Sequence, residues 1–295
     1  MIGHLETIRA ALLRPPRVPL RRERWETPDG DFVDVDFAGD ARLPRVMVLF
    51  HGLEGCSDSH YARALAAALP AAGWRLAIPH WRGCSGEPNR KPRAYHSGDS
   101  AEVDWMLRRF QAPVDAIGVS LGGNALLKWL GEQGTAAAGV VRRAAAISAP
   151  LDLSAAGHAL DRGLNRLLYT RMFLSTLKPK SLAQLALFPG LFDPGPLRAA
   201  RTFREFDNLY TAPVHGFRDV DHYWRSSSSG PYLEHIRVPT LVLNARNDPF
   251  LPERALLAAA KRPASCVLLE FPRFGGHVGF PSKRLVRRLI QFFRT

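Results

Sequence analysis

Three side chains in this 295-residue sequence have the types and the chain order needed for nucleophilic acyl transfer. Ser120 sits in Gly-Val-Ser-Leu-Gly (Gly118 to Gly122), Asp248 in Asn-Asp-Pro-Phe, and His277 in Gly-Gly-His-Val-Gly. A serine hydroxyl is a weak nucleophile until a base takes its proton, so a histidine is required, and an acid must hold that histidine in one tautomer. A Gly-x-Ser-x-Gly pentad is short and recurs by chance. Alone it leaves open that Ser120 is only a small residue in a tight turn, so the flanking pattern decides. An apolar run, Val114 to Val119, precedes the serine and a helical pattern follows from Gly122, which lifts the hydroxyl above a sheet at a helix N-terminus. The acid and the histidine each follow a further strand-like run. The tetrahedral intermediate of such chemistry also needs two preorganised N–H donors. Leu121, directly after the serine, supplies one, and Leu53 in His-Gly-Leu-Glu-Gly is the expected second.

Other groups are read as structural. His51, a rival base by composition, directly precedes a glycine at a strand end and is expected to brace that loop. His96, His215 and His222 lie on loops able to face a cleft and are expected to act through hydrogen bonds. No histidine pair has metal-ligand spacing with a third partner, so neither a catalytic metal nor another cofactor is expected. Cys56, Cys84 and Cys266 are too few and too irregular for a disulfide framework. Cys56 and Cys84 each follow a strand end, and Cys266 reads as a strand residue.

The elements that must position these groups alternate between apolar runs and helical patterns, the signature of a mainly parallel α/β sheet. Arg24 to Asp40 reads as an antiparallel edge hairpin turning at Pro-Asp-Gly. Arg45 to Gly52, Arg75 to Gly83, Val114 to Ser120, Arg143 to Pro150, Val238 to Arg246 and Ser265 to Phe271 read as strands. Tyr61 to Ala72, a segment from Asp99, Gly122 to Leu130 and Pro281 to Phe293 read as helices. Leu151 to Ser229 breaks the alternation with helical patterns and no strand. At that length it is too long for a simple connection. It is expected to be a helical cap over the carboxyl edge of the sheet, inserted before the acid-bearing strand of one domain spanning 1–295. Phe173, Leu174, Phe188 and Leu191 are its expected pocket residues. Ser226 to Ser229 is the one low-complexity patch.

At 46% hydrophobic residues the chain can bury a substantial core, and it has no apolar run long enough for a transmembrane helix. The first 25 residues, with Glu6 and Arg9 among the apolar ones, lack the compact apolar segment of a signal peptide, so a cytoplasmic protein is expected. The net charge is +13, but the arginines are scattered and no aromatics interleave with them, so no nucleic-acid partner is expected. The cluster Arg14 to Arg24 leaves room for weak contact with an anionic membrane.

Several strings extend this reading into a resemblance: "GHLETI", "DGDFVDVDF", "HGLEGCSDSHYARALA", "HWRGCSGEPNRKPRAYHSGD", "GVSLGGNALLKWLGE", "EFDNLYTAPVHGF" with "YWRSSSS", "LNARNDPFLP" and "GGHVGF". Over nearly its whole length the chain resembles the YheT-like branch of the α/β-hydrolase superfamily, related to the eukaryotic ABHD lipid hydrolases. The resemblance implies an α/β-hydrolase fold with a helical cap insertion, Ser120, Asp248 and His277 as the triad, and a serine carboxylic-ester hydrolase acting on a small-molecule ester or lipid. Short-to-medium acyl esters are the expected substrates. The alternatives are a phospholipase or acylglycerol lipase, then an acyltransferase or a non-catalytic binding protein. The loop Arg82 to Asp99 is expected to wall the oxyanion hole, with Asp99 capping the next helix, and "EFDNLYTAPVHGF" to close the cap.

Overall fold

The computed structural model describes residues 1–13 and 15–295. Eight strands form one sheet: β1 (Arg21–Glu26), β2 (Phe32–Ala38), β3 (Arg45–Phe50), β4 (Trp74–Pro79), β5 (Val114–Val119), β6 (Val141–Ile147), β7 (Thr240–Leu243) and β8 (Val267–Glu270). Their spatial order is β1-β2-β4-β3-β5-β6-β7-β8. β1 and β2, and β2 and β4, run antiparallel, and every other pair is parallel. The expected edge hairpin is therefore present. Its register places Arg22 opposite Asp36 and Arg24 opposite Asp34, and each pair closes at 2.7 Å. Val33, Val35 and Phe37, on the alternate face, enter the core, as a period of two requires.

Helices cover both faces of the sheet. α2 (His60–Ala68), α3 (Ser100–Arg108) and α4 (Leu121–Gln133) connect the parallel strands, and the chain closes with the helix Ser282–Arg294. Asp99 caps α3 by accepting from Glu102 N–H, as its position predicts. Two apolar cores result, one on each face of the sheet. Phe50, Trp81, Leu126 and Trp129 lie in the first; Met47, Leu65, Ile117 and Leu289 lie in the second.

Between β6 and β7 the chain forms the expected strandless insertion, running from α5 (Leu153–Leu160) through the long helix Arg171–Leu187 to the helix Val220–Ser227 and a 3₁₀ turn at Gly230–His235. It has its own core, in which Leu174, Leu177, Phe206 and Trp224 meet. The serine patch at its end is a buried knot. Ser228 Oγ accepts from Leu153 N–H and donates to Trp224 O, and Ser229 N–H donates to Asn124 Oδ1 on α4. Asn124 Nδ2 in turn donates to Ser97 O and Ser227 O, at 2.8 and 2.7 Å. One fully buried amide thus ties the serine-bearing helix to two of the segments that border it.

One helix was absent from the sequence reading. α1 (Ile2–Leu12) buries Gly3, Thr7 and Ala10 and leaves Leu5 and Leu12 exposed. Cys266 lies in the turn before β8, not within the strand.

Candidate active site

Ser120 stands between β5 and α4 with φ 52° and ψ −116°. A non-glycine residue held there carries strain of about 1–3 kcal/mol, which persists only where the surroundings enforce it. The enforcement is local. A Cβ on Gly118 would lie 2.4 Å from Gly122 O, and one on Gly122 would lie 2.3 Å from Phe50 O. Both glycines of the pentad are therefore demanded by close backbone approach. Ser120 N–H donates to Ile147 O at 2.8 Å, which seats the turn against the neighbouring strand.

The three residues expected to act together do meet. Ser120 Oγ lies 2.9 Å from His277 Nε2, and His277 Nδ1 lies 2.8 Å from Asp248 Oδ2. With Nδ1–H donating to the carboxylate, Nε2 is left to accept the serine proton. Phe250 stacks on the imidazole at 4.1 Å, and its N–H donates to Asp248 Oδ1. Three other acids in or near the insertion, Asp207, Asp219 and Asp221, make their hydrogen bonds and ion pairs away from His277. Asp207 accepts from Thr211 Oγ1 and Trp224 Nε1, Asp219 caps the helix Val220–Ser227, and Asp221 pairs with Arg204.

The loop carrying His277 is held through its backbone. Gly275 N–H donates to Glu6 Oε2, Gly276 N–H to Asn247 Oδ1, His277 N–H to Thr7 Oγ1 and Val278 N–H to Ser148 Oγ. Two of these acceptors belong to α1, and Glu6 also accepts from Asn247 Nδ2 beside the acid. These α1 residues are the part of the site that sequence reasoning missed. The available signal was the "GHLETI" string, whose Gly3 lets the helix approach so closely that a Cβ would sit 2.0 Å from Asn247 O.

The expected oxyanion donors border the same cavity as Ser120 and His277. On either side of Leu53 the backbone donors are taken, Gly52 N–H by Tyr61 Oη at 2.9 Å and Glu54 N–H by Tyr95 Oη at 3.0 Å. Among the described residues no acceptor meets Leu53 N–H. Leu121 is the first residue of α4, where a backbone N–H has no partner within the helix. His51 does not compete as base. It is fully buried, its Nδ1–H donates to Gly52 O and its Nε2 accepts from Trp81 N–H. Burial lowers its pKa to about 3. The bracing role expected for it is what these contacts perform.

The cavity measures about 470 Å³, within the usual size range of small-molecule sites. Its wall combines the loop Arg82 to Ser97 with inserted residues including Leu153, Leu160, Leu177, Phe203, Tyr210 and Trp224. Of the four apolar residues expected there, only Phe173 lines it; Leu174 turns into the insertion's own core, and Phe188 and Leu191 lie elsewhere. His96 borders the cavity, edge to face against His215, and burial lowers its pKa to about 3. His215 donates from Nδ1 to Thr211 O, and His222 accepts from Arg218 N–H. Cys84 also borders it, with burial pushing its thiol up to about 12, so it is not a reactive thiolate. Arg14 lies outside the described residues; the other arginines of the basic segment each have an acidic partner, Arg17 with Asp58, Arg21 with Glu23, Arg22 with Asp36 and Arg24 with Asp34.

Residues 45–283 match the family described as alpha/beta hydrolase fold. An Escherichia coli protein named "Putative esterase YheT" is 38% identical over 94% of this chain and 84% of its own length. This chain belongs to the YheT-like α/β-hydrolases. The mouse protein named "Phospholipase ABHD3" is 29% identical over 91% of this chain and 69% of its own. Among solved structures, an esterase from Exiguobacterium antarcticum superposes with a TM-score of 0.62 at 17% identity, covering 93% of this chain and all of that one, a likeness that shows the shared fold. No helix of this α/β-hydrolase among the described residues is long and apolar enough to cross a membrane.

Proposed function

We propose that this chain is a serine carboxylic-ester hydrolase that works through an acyl-enzyme on Ser120. The observation that carries the reading is the continuous hydrogen-bonded line from Ser120 Oγ through His277 to Asp248 Oδ2, at 2.9 and 2.8 Å, on the wall of an apolar cavity. His277 takes the serine proton as Oγ attacks the ester carbonyl, and returns it to the leaving alkoxide. Asp248 holds the imidazole and stabilises its cation. Leu53 and Leu121 N–H receive the developing oxyanion. A water activated by His277 then hydrolyses the acyl-serine. The E. coli relative's name supports an esterase.

The inserted helices act as the cap that shapes the acyl pocket, supported by Phe173, Leu177, Phe203 and Trp224 on its wall. Each buried CH₂ adds about 0.8 kcal/mol, or roughly fourfold, to binding. With p-nitrophenyl esters from acetate to palmitate, kcat/KM should climb with chain length until the cavity is full and then fall. The second reading is a phospholipase or acylglycerol lipase, favoured by the name of the mouse relative and by the apolar wall. A monotonic rise through palmitate, with preference for phospholipid or monoacylglycerol dispersions, would establish that reading and displace the first. No hydrolysis of any ester would sink both.

A further inference from the structure

The turn that carries Leu53 holds a conformation its own sequence disfavours. Gly55 N–H donates to Gly52 O at 2.9 Å, closing a four-residue turn, and its third residue, Glu54, has φ 55°. A positive φ at that position is ordinarily left to glycine or asparagine. The glutamate is held there from two directions. Its N–H donates to Tyr95 Oη at 3.0 Å, and the same hydroxyl donates back to Glu54 Oε1 at 2.9 Å. Tyr95 is itself fixed by stacking on Trp81, whose indole N–H donates to His51 O. From the other side Lys180, on the inserted helix Arg171–Leu187, sets Nζ 3.0 Å from both carboxylate oxygens. The glutamate side chain is 8% exposed, so the pair is shielded from bulk water at the acid.

We propose that Glu54 is a positioning residue for the oxyanion-hole N–H of Leu53, and that Lys180 couples this positioning to the seating of the inserted helices. The inference rests on the serine-hydrolase reading above. Released from its two partners, Glu54 relaxes toward negative φ, which requires the peptide between Leu53 and Glu54 to turn over. Glu54 N–H then leaves Tyr95, Leu53 C=O takes its place, and the turn that braces the preceding Gly52–Leu53 peptide, and with it Leu53 N–H, is loosened. A substrate that packs under the inserted helices keeps Lys180 on Glu54 and so keeps the hole formed. Glu54 touches neither the ester nor the serine in this scheme, so its loss lowers kcat and spares KM.

The test compares wild type with Glu54→Gln, Glu54→Gly, Lys180→Met, Lys180→Arg and Ser120→Ala. Turnover of a short ester is measured beside inhibition by an alkyl trifluoromethyl ketone, which adds to serine and needs the hole for its oxyanion, and by the matching secondary alcohol, which only fills the cavity. Loss of a whole oxyanion donor costs about 10²–10³ in kcat, so a loosened donor in Glu54→Gln should cost roughly 10–100-fold. KM and alcohol binding should change little, and ketone affinity should fall by a similar factor. Glu54→Gly, which adopts the positive φ without strain, should keep more of its kcat and ketone affinity than Glu54→Gln. Lys180, 45% exposed, can be replaced without threatening the fold. Lys180→Met should lose roughly threefold to tenfold in kcat, by the same loosening, and Lys180→Arg should recover it. Wild-type kcat and ketone affinity in Glu54→Gln and Lys180→Met, with Ser120→Ala inactive, would overturn the coupling and leave the hydrolase reading standing. Turnover that survives in Ser120→Ala would remove the hydrolase reading and this inference with it.

Discussion

Replacing Thr7 by valine removes one hydroxyl at the far end of the chain from the triad and should weaken both fold and turnover. Thr7 Oγ1 donates to Gly3 O at 2.7 Å and accepts His277 N–H at 2.8 Å, in a site 8% exposed. Valine keeps the shape but leaves the His277 donor without a partner, a cost of about 1–3 kcal/mol. For chains of this size each kcal/mol lowers Tm by roughly 2–4 °C, so a loss of several degrees is expected. The loop retains three backbone anchors, at Glu6, Asn247 and Ser148, so the imidazole should shift by only a fraction of an ångström. A misplacement of 1 Å costs about 10²-fold, which places the expected fall in kcat near tenfold. Thr7→Ser keeps the hydroxyl and should remain near wild type, whereas Gly3→Ala, with its Cβ 2.0 Å from Asn247 O, should do more damage than either. Thermal melts with steady-state ester kinetics decide it. Wild-type Tm and kcat in Thr7→Val would show that α1 is a passenger and not a support of the histidine loop.

Further outcomes follow from the same contacts. Asp248→Asn should lower kcat by about 10⁴ by favouring the wrong histidine tautomer, while Asp219→Asn and Asp221→Asn stay near wild type; the reverse ranking in a kinetic comparison would move the acid. Burial raises Asp207 from 3.8 to about 6, so its folded form keeps a proton the unfolded chain has lost. Its stabilising contribution, about 3 kcal/mol, is full below pH 3.8 and gone above pH 6. His51 and His96, lowered from 6.5 to about 3, act oppositely: their contribution is full above pH 6.5 and is lost as pH falls toward 3. Two histidines outweigh one acid, so urea stability should rise with pH between 4 and 6, and it should rise more steeply in Asp207→Asn. Parallel curves for the two proteins would mean that Asp207 ionises normally.

The meeting of Ser120, Asp248 and His277 was legible because each follows a strand at the carboxyl edge of a parallel sheet, so local pattern alone brings them to one side. The support from α1 was not. That helix is buried through Gly3, Thr7 and Ala10, not through large apolar residues, and Glu6 interrupts the periodicity because it points at the Asn247 and Gly275 donors. The pocket lining was legible only in part. Phe173 and Leu174 are neighbours turned about 100° apart on one helix, and only tertiary packing decides which faces the cavity and which the insertion's own core. The run Ser226 to Ser229 reads only as a low-complexity patch by composition, yet three of its residues are buried, with Ser228 and Ser229 satisfying backbone groups around α4 and α5. Its order comes from partners distant in sequence.

The central claim is that Ser120 forms the covalent intermediate, and mass spectrometry tests it most directly. After treatment with a fluorophosphonate, intact wild-type protein should gain one adduct, and peptide mapping should place it on Ser120. Ser120→Ala should gain none, and His277→Ala should label far more slowly. An adduct on another residue, or labelling that persists in Ser120→Ala, would contradict the account.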